Sequence, residues 1–124
     1  MSEESIFSVD TLVKYMGNDD KAVGVVARIV RDAVAPGMAP LQQAGTALRE
    51  ERLSEAGKIF HSVRGSIGAL GAKRLVAASL KLEQAIVERQ SEAIPPLFAK
   101  LESEYQLVLR HADDWLRHHA PSGA

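Results

Sequence analysis

The residues of this chain best suited to chemistry lie close together: His61, Arg64 one helical turn later, and the glycines Gly57, Gly65 and Gly68. On a helix turning about 100° per residue these five fall in one arc, roughly 130° from a second arc of Ala56, Phe60, Val63, Ile67 and Leu70. The apolar arc must face a core, so His61 is expected to face solvent. Interior glycine costs a helix roughly 1 kcal/mol relative to alanine, yet three glycines flank this one histidine. Bare backbone beside an imidazole lets a macromolecule or a bulky electrophile come within bonding distance. Neutral imidazole is a good nitrogen nucleophile, and the Arg64 guanidinium offers forked donors to phosphoryl oxygens. The combination reads as a site that accepts a phosphoryl group from a partner and passes it on.

The elements that must position this site are helical. Aromatic residues make up 5% of the chain and β-branched residues nowhere alternate with a period of two, whereas Ala, Leu, Glu, Lys and Arg dominate. A short helix is predicted over Ser8 to Met16, stopped by Gly17. Asn18-Asp19-Asp20 then offers an N-cap to a second helix with an apolar stripe of Val23, Val26, Ile29, Val30 and Ala33. Pro36-Gly37 breaks or kinks that helix before it continues through Leu41, Ala44 and Leu48. After a tight connection at Glu50 to Leu53, a third helix runs from Ser54 to Leu70 and ends at Gly71, which suits a left-handed cap. A fourth, carrying Leu75, Ala78, Leu82, Ala85 and Ile86, turns back antiparallel and fades by Gln90. Pro95 and Pro96 suit the first turn of a last helix with an inner face of Leu97, Leu101, Tyr105, Val108, Ala112 and Trp115. The expected fold is all-α: an up-and-down antiparallel four-helix bundle with a short additional N-terminal helix. It forms a single domain over 1–124, with a core of about 6–118 and a frayed tail at 119–124.

Composition narrows the function. The chain has 124 residues, 15 Lys+Arg against 16 Asp+Glu, and no cysteine. That length suits one core and is short for a nucleotide-binding kinase domain with a substrate domain. Balanced, scattered charge gives no electrostatic reason to expect nucleic acid or an anionic membrane as partner. The absence of cysteine excludes disulfides, thiolate metal sites and a cysteine nucleophile. The opening ten residues are acidic and lack the basic start and apolar stretch of a secretory signal, so a cytoplasmic location is expected. Val23 to Val34, the longest apolar region, is interrupted by Arg28, Arg31 and Asp32 and does not read as a membrane span.

The run Phe60-His61-Ser62-Val63-Arg64-Gly65-Ser66-Ile67-Gly68-Ala69-Leu70-Gly71-Ala72 resembles the signature of histidine-containing phosphotransfer (HPt) domains: His, two residues, Lys or Arg, Gly, then a Leu-Gly-Ala-like helix end. Leu75 and the Leu82-Glu83 pair match the family's next helix, and the likeness extends loosely from Ile6 to Leu116. Arg64 stands where Lys is commoner. The resemblance implies that His61 is phosphorylated on Nε2 by the phospho-aspartate of a receiver domain and donates the group to another receiver. It implies a phosphoryl carrier without kinase activity of its own. Arg64 would stabilise the phosphate, and Glu83 would hydrogen-bond the Nδ1 side of the ring, leaving Nε2 free. Receiver domains of response regulators and hybrid sensor kinases would dock on a patch including Gly57, Lys58, Arg64, Gly65 and Gly68. No cofactor is expected on this chain, Mg²⁺ being held by the receiver, and a monomer suffices for the chemistry. The alternative is a non-phosphorylated helical-bundle interaction module that binds and modulates a receiver or kinase.

Other candidates read as ordinary structure. His111, Asp114 and His118 share one side of the last helix, but histidines two turns apart are separated by about 10 Å along the axis, too far for one ion, so no metal site is expected. Trp115 reads as a plug at the open end of the bundle. Lys73 and Arg74 read as a solvated helix start.

Overall fold

A computed structural model describes residues 5–119. Six helices follow in order: α1 (Asp10–Tyr15), α2 (Asp20–Val34), α3 (Ala39–Arg49), α4 (Leu53–Ser66), α5 (Lys73–Val87) and α6 (Ile94–His119), with a 3-10 turn at Gly68–Leu70 between α4 and α5. No strand occurs among the described residues. The architecture is the expected all-α bundle. Here α2 packs on α6 and α3 on α4, while α4 packs on α5 and α5 on α6.

The boundaries follow local chemistry. Asp19 caps α2, its carboxylate accepting from the Ala22 amide at 2.8 Å. At Pro36-Gly37 the chain leaves the helical path, Gly37 taking φ +56°, and α3 restarts with Pro40 in its first turn. The Tyr105 hydroxyl donates to the Gly37 carbonyl at 2.9 Å, tying this break to the centre of α6. Helix α4 begins at Leu53, one residue before the expected Ser54. Its α-helical hydrogen bonding ends at Ser66, and a 3-10 turn completes the stretch to Leu70. The expected fraying from residue 119 meets a different arrangement at its first residue: His119 closes α6 and stacks on Trp115 at a centroid distance of 4.6 Å. Residues 120–124 lie outside the described residues.

The core joins these helices: Val26 and Val30 from α2, Leu41 from α3, Phe60 and Val63 from α4, Leu75 and Leu82 from α5, and Leu101, Tyr105 and Val108 from α6, all buried. The N-terminal segment completes it. Ile6, Phe7 and Val9 are buried, and the Ser8 amide donates to the Leu70 carbonyl at 3.0 Å. Phe7 meets Trp115 edge-on at 6.5 Å, so Trp115 closes the bundle against this segment. No described helix is long and apolar enough to cross a membrane.

Candidate functional site

Phe60 sets the rotation of α4. It is fully buried and packs against Phe98 of α6 at 5.9 Å between ring centroids, so the next residue, about 100° around the helix, points away from the core. That residue is His61, with its side chain 74% exposed. Arg64 and Gly65 follow on the same side of α4, Gly68 lies in the 3-10 turn beyond it, and Gly57 and Lys58 precede His61 by one turn.

The glycines divide into two kinds. A Cβ added at Gly57 or Gly65 would meet nothing within 4 Å, so packing does not require glycine at either position. Their effect is to leave the backbone around His61 bare. At Gly68 a Cβ would lie 2.8 Å from Val76 Cγ2, so this glycine permits the close approach of the 3-10 turn to α5. At Gly71, φ is +74° and a Cβ would lie 2.2 Å from the Ser8 carbonyl oxygen. This left-handed cap both ends the α4 region and makes room for the N-terminal segment.

Helix α5 brings Glu83 to the site from 19 residues onward. Arg64 binds both of its carboxylate oxygens, Nε donating to Oε2 at 2.9 Å and Nη2 to Oε1 at 3.1 Å. Nη2 also donates to His61 Nδ1 at 2.9 Å. The direct bond expected between Glu83 and the ring is not formed: Oε1 stands 3.9 Å from Nδ1, because the long, forked arginine occupies the space between them. Glu83 influences the imidazole through Arg64.

Ser79, one turn before Glu83, is a site residue that the sequence reading missed. Fully buried, its hydroxyl lies 2.8 Å from Glu83 Oε2 and 3.3 Å from the Phe60 carbonyl. The available signal was a serine within the inward stripe of α5, four residues before a glutamate.

Electrostatics agree with this geometry. Burial pushes the Glu83 carboxyl up, but the hydrogen bonds from Arg64 and Ser79, with the charge of Arg64, outweigh it and hold the carboxyl below the ordinary range. The bond to Glu83 raises the Arg64 guanidinium in turn. A fixed cation and anion therefore sit on the Nδ1 side of an exposed imidazole, and no hydrogen bond to Nε2 occurs among the described residues. The site can offer a ring nitrogen to an electrophile and a guanidinium to an anion attached to it.

Exposed apolar side chains lie near this face. Leu80 and Val87 share the outward stripe of α5 with Glu83, three residues before and four after it, and are 48% and 81% exposed. Tyr15 of α1 is also exposed and lines a shallow groove with Leu12, Gly68 and Lys73.

At the far end of α6, His118 Nδ1 lies 2.7 Å from the Asp114 carbonyl of its own helix, and no group of three or more acidic or histidine side chains among the described residues is arranged to hold a metal ion. Arg74 is not merely a solvated helix start. It pairs at 2.8 Å with Glu104, a carboxylate buried in α6.

No curated protein and no solved structure matches the chain. The family model described as "Hpt domain" matches residues 29–111, more than half of the chain and a span holding His61, Arg64, Ser79 and Glu83, so the protein belongs to the Hpt domain family.

Proposed function

We propose that this protein is the histidine phosphotransfer intermediate of a two-component phosphorelay, phosphorylated on Nε2 of His61. The observation that carries the proposal is the exposed His61 ring, backed on its Nδ1 side by Arg64 and Glu83 and flanked by glycines that packing does not require. The electrophile is the acyl phosphate of a receiver-domain aspartate. The Nε2 lone pair forms the N–P bond as the acyl P–O bond breaks, and the electron pair leaves with the aspartate carboxylate. Transfer to a second receiver runs the same exchange in reverse. Arg64 faces the phosphoryl oxygens, where a guanidinium fork is the best cationic match.

The chain acts as a carrier: its sequence contains no glycine-rich phosphate loop, and Mg²⁺ is supplied by the receiver. Bare backbone at Gly57, Gly65 and Gly68, Lys58 at the edge, and the exposed Leu80 form the face on which a receiver docks. A monomer in the cytoplasm is sufficient for this role.

The test is phosphoryl transfer from a phosphorylated receiver domain of the same organism to the wild type and to His61→Gln. Acid-labile, base-stable phosphate on the wild type and none on the variant is the expected result. Receiver binding without label on either protein would favour a non-phosphorylated interaction module.

A further inference from the structure

The two side chains behind His61 make opposite demands on its ring. A guanidinium has five N–H donors and no acceptor, so the 2.9 Å contact from Arg64 Nη2 to Nδ1 requires a lone pair on Nδ1. The single proton of the neutral ring then sits on Nε2, the nitrogen that must attack. A carboxylate at Nδ1 demands the reverse, a proton on Nδ1 and a lone pair on Nε2. Glu83 Oε1 is 3.9 Å from Nδ1, a small side-chain adjustment from hydrogen-bond distance. Arg64 stands between them and engages both carboxylate oxygens. The unphosphorylated site is therefore arranged in the tautomer that does not react.

We propose that Arg64 is a tautomer gate: without a phosphoryl group it keeps the His61 proton on Nε2, and when the acyl phosphate arrives it turns to the phosphoryl oxygens, freeing Glu83 to accept a hydrogen bond from a protonated Nδ1. This deepens the phosphotransfer reading and rests on it. The balance is simple. The Nε2 proton leaves to water and another is taken up on Nδ1, so the ring stays neutral. The Nε2 pair then attacks phosphorus, the P–O pair leaves on the aspartate carboxylate, and the Nδ1 proton remains on the ring against Glu83. Two features suit the swap. Arg64 is 27% exposed and lies at the surface, where a doubly charged phosphoryl group offers its fork a second bidentate partner. Ser79 stays fully buried and bound to Glu83 at 2.8 Å, keeping the carboxylate in place while Arg64 moves. Arg64 is a positioning residue before the reaction and a phosphate ligand during it.

Two-bond ¹H–¹⁵N correlation spectra of the uniformly labelled chain separate a ring nitrogen carrying a proton from one bearing a lone pair. They are to be recorded at about pH 8.5, well above the ordinary imidazole value of about 6.5. The wild type is expected to carry the His61 proton on Nε2. Imidazole in water modestly prefers that tautomer by itself, so the variants decide. Arg64→Ala is expected to interchange the two nitrogen shifts by moving the proton to Nδ1, and Glu83→Ala added to it is expected to reverse the interchange. A wild type protonated on Nδ1, or an Arg64→Ala spectrum with the wild-type populations, would overturn the proposal. Arg64→Met, which keeps the aliphatic stem, replaces Arg64→Ala if α4 is disturbed. No phosphodonor is present, so this result stands apart from whether His61 is ever phosphorylated.

Discussion

The Glu83 carboxylate lies 3.9 Å from Nδ1 of His61, with the Arg64 guanidinium bridging the two at 2.9 to 3.1 Å. One arginine thus holds an anion and touches a nucleophile at the same time. Lysine offers a point charge without a fork and cannot keep all three contacts. Arg64→Lys is expected to lower stability only slightly, as for other partly exposed ion pairs, and to retain label on His61. Arg64→Ala is expected to slow transfer by roughly 10²-fold through loss of a charged donor to the phosphoryl group. Urea titration and single-turnover transfer check both effects.

Gly65 and Gly68 are predicted to respond to alanine with opposite signs. At Gly65 the new methyl enters open space, so Gly65→Ala is expected to stabilise the fold by up to about 1 kcal/mol while weakening receiver binding. At Gly68 it meets Val76 Cγ2 at 2.8 Å, and the resulting overpacking is expected to cost about 1–3 kcal/mol. Thermal melts of the two variants, moving in opposite directions, check the assignment.

Gly71→Ala combines a left-handed φ of +74° with a Cβ 2.2 Å from the Ser8 carbonyl oxygen. Strain and collision together are expected to cost at least about 2 kcal/mol and to release the N-terminal segment from the α4–α5 turn. Trp115, the single tryptophan of the chain, packs against Phe7 of that segment. Its emission is therefore expected to shift to the red in the variant before global unfolding.

Acid is expected to loosen the bundle at two carboxylates. Burial raises Glu104, but its bonds to Arg74 and Lys100 outweigh burial and hold it below the ordinary value, and Glu83 behaves likewise. A folded pKa below the unfolded one means that the stabilisation is fully present above the unfolded value, about 4.3, and disappears as pH falls through the folded value. Glu104→Gln is expected to cost about 1–3 kcal/mol at neutral pH and to flatten the acid limb of the stability profile. Urea midpoints measured from about pH 7 downward, across that unfolded value, check it.

The sequence discloses the parts of this molecule whose cause is local. Alternating caps and breakers mark Asp19, Pro36-Gly37, Gly71 and Pro95-Pro96, and the stripe containing Phe60 turns His61 outward. Two things depend on tertiary placement and are not legible locally. Ile6 and Phe7 enter the core from ahead of the first predicted helix, so no stripe announces them. The order of contact among His61, Arg64 and Glu83 depends on how α5 approaches α4. Sequence spacing gives Glu83 the right neighbourhood and cannot say that Arg64 reaches the ring first. Ser79 falls in an apolar stripe, where a lone hydroxyl looks incidental until the Phe60 carbonyl and the Glu83 carboxylate are found beside it.

The buried Ser79 hydroxyl of α5, whose proton goes to Glu83 at 2.8 Å, sits 3.3 Å from the Phe60 carbonyl and holds α5 against α4 one residue before His61. The base of the imidazole is thus fixed to two helices before any receiver arrives. Its positional entropy is surrendered during folding, and the encounter need not supply it. In the relay role proposed above, a partner would then react during a brief visit and leave, so that one carrier could serve two receivers in turn without binding either one tightly.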